Sequence, residues 1–160
     1  MEPKPTLYVE TTIPSYLVSR PSKDLVIAGY QVITHEFWHG KRNEYECVAS
    51  DLVFQECLLG DPVYATLRVE ALNGMKTLEE TPETLLLADQ LKRALGLPKR
   101  AVADATHVAL AAYHGIKYLV TWNCKHLANP KLAKKMREVC ESANCLLPEI
   151  CTPAQFTEGQ

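Results

Sequence analysis

Four side chains whose oxygens could bind a metal lie where alternating strands and helices would bring them together. Glu10 ends a predicted strand, Asn123 lies just beyond another, and Glu56 and Asp104 fall in predicted helices that could start at the same sheet edge. Functional residues of open α/β sheets gather at the carboxyl ends of the strands. Oxygen ligands suit a hard cation such as Mg²⁺ or Mn²⁺, which can polarise a phosphoryl oxygen and lower the pKa of bound water. The set therefore predicts metal-assisted hydrolysis.

Asp104 carries the most information of the four, because its helix is otherwise built to pack closely. An acid on such a helix is costly unless it reaches a cation, a donor or water. His107 lies three residues later, on the same helical face, and can hydrogen-bond a ligating carboxylate and orient it. The apolar neighbours on this helix are Ala101, Ala105, Val108, Ala109 and Ala111.

The elements that must position these residues alternate along the chain. Short apolar or alternating runs predict strands at residues 7–9, 45–49, 76–78, 118–121 and 145–147. Capping residues and prolines predict helices that begin near residues 14, 24, 51, 62, 82, 99 and 130. This alternation predicts an α/β fold, a three-layer α/β/α sandwich with a central parallel sheet. A length of 160 residues predicts one domain over residues 1–160.

Composition excludes several classes of protein. An apolar content of 47% with 22% charged residues is typical of a globular chain and not of a disordered or fibrous one. No apolar run is long enough to cross a bilayer, and residues 1–5 have no signal-peptide character, so we expect a cytoplasmic protein with no membrane partner. The six cysteines are then expected to be free thiols.

The formal net charge of −2 conceals two regions of opposite sign. Residues 91–140 hold ten Lys and Arg but only two acids, whereas the rest of the chain is strongly acidic. The basic segment includes Asp104 and Asn123. Such a segment is often a solvated helix face, but around a metal site it could hold a phosphate backbone.

Three segments and one isolated acid resemble the motifs of the PIN-domain family, and in particular its VapC-like toxin ribonuclease branch. The segments are YVETTIPSY at 8–16, DATHVALA at 104–111 and LVTWNCKHL at 119–127, and Glu56 in a helix capped by Ser50 fits the second motif. Their order and spacing span residues 7 to about 150.

This resemblance implies an enzyme: an Mg²⁺- or Mn²⁺-dependent endoribonuclease that hydrolyses RNA phosphodiester bonds, as the toxin of a type II toxin–antitoxin pair. It also implies RNA as substrate, a possible antitoxin protein as partner, and a homodimer. Carried over by residue, it assigns Glu10, Glu56 and Asp104 to the metal, and Asn123 to a fourth position that orients water or phosphate. The supporting or RNA-contacting residues are Thr11, Thr12, His107, Thr121, Lys125 and His126.

Two departures from the family pattern keep an alternative open. The family's first acid is usually Asp, and Glu10 is one methylene longer; its fourth is often Asp, and Asn123 is neutral. The alternative is a catalytically weak PIN-like scaffold that binds RNA or a protein partner. A cysteine-based hydrolase is a third hypothesis, although no thiol has an evident electropositive setting. Trp122 fits a core or dimer contact better than a base-stacking platform.

Overall fold

A computed structural model describes residues 2–157, which form five strands and eight α-helices. The strands are β1 (Thr6–Val9), β2 (Glu46–Ser50), β3 (Lys76–Leu78), β4 (Tyr118–Val120) and β5 (Glu149–Cys151). The first four helices are α1 (Thr12–Val18), α2 (Leu25–His39), α3 (Asp51–Cys57) and α4 (Pro62–Ala71). The last four are α5 (Pro82–Leu95), α6 (Val102–Tyr113), α7 (Pro130–Ser142) and α8 (Pro153–Thr157).

The five strands form one parallel sheet in the order β3-β2-β1-β4-β5. β1 is the central strand, with Tyr8 opposite Val48 on one side and Leu119 on the other. The strand order reverses at β1, because β2 and β3 extend to one side and β4 and β5 to the other. This is the switch point at which open α/β sheets place their functional residues. The residue after β1 is Glu10.

Helices cover both faces of the sheet, which confirms the predicted α/β fold. On one side α5, α6 and α7 share a core that includes Leu91, Val108 and Met136. A second core joins the sheet to α2 and α8, where Phe37 and Phe156 lie 5.5 Å apart between ring centroids.

Side-chain caps fix where several helices begin, as their sequences predict. Ser50 accepts from the amide of Val53 at the start of α3, and Asp24 caps α2. At α5 the hydroxyls of Thr81 and Thr84 each accept from the other residue's amide, forming a capping box.

The predicted strand at residues 145–147 is wrong, since the closing strand is β5, further along the chain. Asn144 adopts a positive φ of 59°, and the amide of Cys145 donates to the carbonyl of Cys140 at 2.9 Å. This is the backbone pattern that ends a helix, so residues 145–147 are still leaving α7. None of the helices within residues 2–157 is long and apolar enough to cross a membrane.

Candidate metal centre at the carboxyl edge of the sheet

Glu10 is the first acid of the site and lies directly after β1, between the ends of β2 and β4. Its Oε2 accepts three hydrogen bonds: from the Thr12 amide at 2.9 Å, the Thr12 hydroxyl at 2.5 Å and the Thr121 hydroxyl at 3.0 Å. Its Oε1 accepts none from residues 2–157. No fully buried side-chain oxygen in that range lacks a partner, so this Oε1 must reach the accessible surface.

The carboxyl of Glu10 is only 4% exposed, and this burial has an electrostatic cost. Burial raises its pKa, against the charge of His107 and the hydrogen bonds from Thr12 and Thr121, which lower it. The net pKa is raised, because burial outweighs the charge of His107 and the hydrogen bonds.

Glu56 lies near the end of α3, where two donors meet one of its oxygens. The Thr11 hydroxyl and Nε2 of His107 each donate to Oε1 at 2.6 Å, while Oε2 has no hydrogen bond within the described part of the chain. Burial alone would raise the pKa of Glu56. The hydrogen bonds and the charge of His107 outweigh burial and lower that pKa.

Asp104 lies in the first turn of α6, where the helix dipole favours an acid. Nδ1 of His126 donates to its Oδ2 at 2.9 Å, and Oδ1 accepts no hydrogen bond among the residues that the structure covers. Asp104 therefore repeats the pattern of the other two acids: one oxygen is held by the chain and the other is free.

Asn123 is placed by the turn that follows β4. Its amide donates to the Thr121 hydroxyl at 2.9 Å, and its carbonyl accepts from Leu127 and Ala128. The side-chain Oδ1 accepts from the His126 amide at 3.0 Å. The side-chain oxygen is thus engaged in the turn, which leaves Nδ2 as the side-chain group of Asn123 without a hydrogen bond within residues 2–157.

Five of the six predicted supporting residues contact these acids or Asn123, namely Thr11, Thr12, His107, Thr121 and His126. Lys125 does not, since its side chain is exposed and has no hydrogen bond or salt bridge to the described residues. Trp122 is a core residue: it is 8% exposed, stacks on Tyr30 at 4.2 Å, and donates from Nε1 to Thr34.

Sequence reasoning missed one residue of the site. The Tyr8 hydroxyl lies 2.7 Å from both the Ser50 hydroxyl and Nδ1 of His107, so it connects β1, β2 and α6. A tyrosine in the middle of a buried apolar strand is a usable signal, because a buried phenol needs a hydrogen-bond partner. The sequence gives no indication of which partner that is.

The donor set fits a hard divalent cation in kind. Glu10, Glu56 and Asp104 each present one free carboxylate oxygen, and all three charges act on the imidazole of His107. Within residues 2–157 no three His, Cys, Asp or Glu side chains converge closely enough to cage a metal ion. Mg²⁺ does not require such a cage, since one or two carboxylates with waters and substrate phosphates suffice.

A family model for the PIN domain matches residues 8–129. The chain belongs to the PIN-domain family. This confirms the resemblance found in the sequence motifs. PIN domains are generally nucleases and generally use divalent metal ions. No curated protein matches this PIN domain in sequence.

Two solved structures share its fold. One is VapBC2 from Rickettsia felis bound to a DNA fragment from their promoter, with 11% identity, a TM-score of 0.57, and coverage of 92% of this chain and 98% of that chain. The other is FitAB bound to an IR36 DNA fragment, with 12% identity, a TM-score of 0.50, and coverage of 92% and 94%. At identities this low, the structural likeness shows a shared fold and nothing more.

Proposed function

We propose that this PIN domain is an Mg²⁺- or Mn²⁺-dependent endoribonuclease that hydrolyses RNA phosphodiester bonds. The observation that carries the proposal is the common state of Glu10, Glu56 and Asp104. Each has one carboxylate oxygen held by donors of the chain and one without a hydrogen bond within residues 2–157. Oxygens fixed in this way are oriented for a ligand from outside the chain.

The side chains around the acids have orienting roles. Thr12 and Thr121 hold Glu10, Thr11 and His107 hold Glu56, and His126 holds Asp104. A bound Mg²⁺ or Mn²⁺ supplies Lewis-acid polarisation of a phosphoryl oxygen and lowers the pKa of water. Its charge also offsets the cost of burying Glu10.

We propose that the RNA backbone binds exposed Lys and Arg side chains near the acids in the sequence. Lys99 and Arg100 precede α6, and Lys125 follows Asn123. Within the described chain none of the three forms a salt bridge. Cations without partners are available to replace the counterions of a phosphate backbone.

We further propose that the protein is the toxin of a type II toxin–antitoxin pair, acts in the cytoplasm as a single domain, and forms a homodimer that an antitoxin protein binds. The support is the shared fold with proteins in the VapBC2 and FitAB complexes. Expression with and without a neighbouring open reading frame tests the pairing. Normal growth when this chain is expressed alone would argue against toxicity.

Cleavage of a labelled RNA by the purified protein tests the enzymatic proposal, in Mg²⁺, Mn²⁺ or EDTA. Asp104→Asn keeps the shape of the side chain but removes its charge, so cleavage should be lost. The matched control is Asp89→Asn, which removes an exposed acid that pairs with Arg93 on α5. Equal cleavage by Asp104→Asn and wild type, in preparations free of contaminating nuclease, would overturn the proposal.

A second candidate is a non-catalytic scaffold that binds RNA or a protein. It is favoured by the absence of a three-residue metal cage within residues 2–157 and by the engaged Oδ1 of Asn123. Calorimetric titration with Mn²⁺ separates the two candidates. Saturable binding that Asp104→Asn weakens supports the enzyme, and no binding supports the scaffold.

A further inference from the structure

A buried chain of hydrogen bonds leads from β2 through β1 to the acid on α3. The Ser50 hydroxyl lies 2.7 Å from the Tyr8 hydroxyl, which lies 2.7 Å from Nδ1 of His107. Nε2 of the same imidazole lies 2.6 Å from Oε1 of Glu56. Tyr8 and Ser50 are fully buried and His107 is 1% exposed, whereas the Glu56 side chain is 30% exposed, so solvent reaches this chain only at its Glu56 end.

When His107 is neutral, counting protons fixes the direction of this chain. The Ser50 oxygen already accepts from the Val53 amide at 3.2 Å, and the only acceptor within reach of its own hydrogen, among residues 2–157, is the Tyr8 oxygen. Ser50 therefore donates to Tyr8, and Tyr8 donates to Nδ1 of His107. The imidazole proton is then on Nε2, which donates to Glu56.

The opposite direction leaves one buried hydrogen without an acceptor. If Nδ1 of His107 carried a proton, it would donate to Tyr8, and Tyr8 would donate to Ser50. The Ser50 hydrogen would then have no acceptor among the described residues, and a buried unsatisfied hydroxyl is costly. Burial also raises the pKa of Tyr8 well above its ordinary value, so the phenol keeps the proton that it donates.

We propose that Ser50 and Tyr8 are positioning residues: they hold the neutral form of the His107 ring with Nδ1 unprotonated and Nε2–H directed at Glu56, and so orient the free oxygen of Glu56. The inference rests on the proposed function in taking Glu56 as a metal ligand. It adds two residues that touch neither metal nor RNA. Their action is transmitted through a single imidazole ring.

The hydrogen-bond chain and the nearby charges act in opposite senses on His107. Burial lowers the pKa of His107, whereas the hydrogen bond to Glu56 and the charges of Glu10, Glu56 and Asp104 raise it, and the net pKa is raised. The acids thus favour a doubly protonated ring, and the Tyr8 hydroxyl opposes it by occupying Nδ1 as a donor. A direct observation of Nδ1 decides which effect prevails.

Nitrogen-15 NMR of the metal-free protein at one slightly alkaline pH provides that observation. We expect His107 to show an unprotonated Nδ1 coupled to the Tyr8 hydroxyl proton, together with a protonated Nε2. Tyr8→Phe should abolish the coupling and shift the Nδ1 resonance. Tyr118→Phe is the matched control, because its hydroxyl has no hydrogen bond within the described chain. A proton on Nδ1 in wild type would overturn the proposal.

Calorimetric titration with Mn²⁺ measures the consequence for the site. Tyr8→Phe should weaken binding about 10-fold, the lower end of the effect of removing a group that orients a metal ligand. Ser50→Ala should also weaken it, and Thr81→Ala, which removes the cap of α5, controls for the loss of a helix cap. Affinity in Tyr8→Phe equal to that in Tyr118→Phe contradicts the inference.

The two proposals fail differently. A wild type that binds Mn²⁺ but leaves RNA intact refutes the nuclease and leaves the positioning chain supported by NMR. A wild type that cleaves RNA while Tyr8→Phe retains full Mn²⁺ affinity refutes the positioning chain alone.

Discussion

Nδ1 of His126 and Oδ2 of Asp104 lie 2.9 Å apart and join the turn after β4 to the first turn of α6. Both side chains are less than one-fifth exposed. The backbone amide of His126 donates to Asn123, so Asn123 supports Asp104 indirectly. The neutral amide at the fourth position thus has a structural task that a carboxylate could also perform.

Substitutions at Asn123 should therefore separate its shape from its charge. Asn123→Ala removes the acceptor of the His126 amide, and we expect Mn²⁺ affinity and RNA cleavage to fall about 10-fold, as for other groups that orient a ligand. Asn123→Asp keeps the acceptor and adds a negative charge, so its Mn²⁺ affinity should match or exceed wild type. Calorimetry measures both variants. Equal impairment of the two would show that the amide itself is required.

Glu10→Gln should stabilise the metal-free protein while abolishing cleavage. The amide oxygen can accept the three hydrogen bonds of Oε2, and the NH₂ group takes the place of the free oxygen. The folded-state pKa of Glu10 is raised above 4.5, so the folded protein binds this proton more tightly than the unfolded chain does. The contribution of protonated Glu10 to the free energy of unfolding is fully present below about pH 4.5, and it is lost as the pH rises through the folded-state pKa.

The gain from Glu10→Gln should thus grow with pH above 4.5 and appear as a higher Tm than that of wild type at neutral pH. Thermal unfolding in EDTA at several pH values measures it. Glu46→Gln, which changes an exposed acid at the start of β2, is the control. A Tm for Glu10→Gln below that of wild type at neutral pH would contradict the burial argument.

The cysteines should differ sharply in reactivity. Cys124 is exposed, whereas burial raises the pKa of Cys57 and Cys140 to about 11. Thiolates are the reactive form, so iodoacetamide should modify Cys124 first and the two buried thiols only after unfolding. Mass spectrometry over a time course gives the order. Cys124→Ser should retain RNA cleavage, and loss of cleavage would revive the cysteine-hydrolase hypothesis.

The lysines of α7 should contribute to RNA affinity through salt-dependent contacts. Lys131, Lys134 and Lys135 are exposed and form no salt bridge within residues 2–157. If all three contact phosphates of single-stranded RNA, replacing them with Gln should reduce the slope of log affinity against log salt by about 2. Binding is measured in EDTA, and Lys76→Gln on β3 is the control. An unchanged slope would place the RNA elsewhere.

Local chemistry made part of this structure predictable. The caps at Asp24, Ser50 and Thr81 are read from single residues and their neighbours, and the central strand follows from an apolar run. The strand-end rule and the apolar helix around Asp104 predict that the acids lie at one edge of the sheet. Whether these acids bind metal stays a prediction.

The rest depends on contacts between distant parts of the chain. Tyr8 meets Ser50 across 42 residues and His107 across 99; the first pairing is set by sheet register and the second by the packing of α6 on the sheet. The prediction of a last strand at residues 145–147 is wrong because Asn144 adopts a left-handed backbone conformation, and the residues that follow it still belong to the turn that ends α7. The engagement of Asn123 by the His126 amide was not predicted, because it requires the detailed path of one turn.

The central position of β1 also has a consequence for biosynthesis. Glu10 is synthesised 111 residues before its hydrogen-bond donor Thr121, and β1 lacks its neighbour β4 until residues 118–120 have left the ribosome. A nascent chain carries its first acids long before the sheet edge around them can form. The hydrogen bonds that hold Glu10 can therefore form only after the β4 segment has been synthesised.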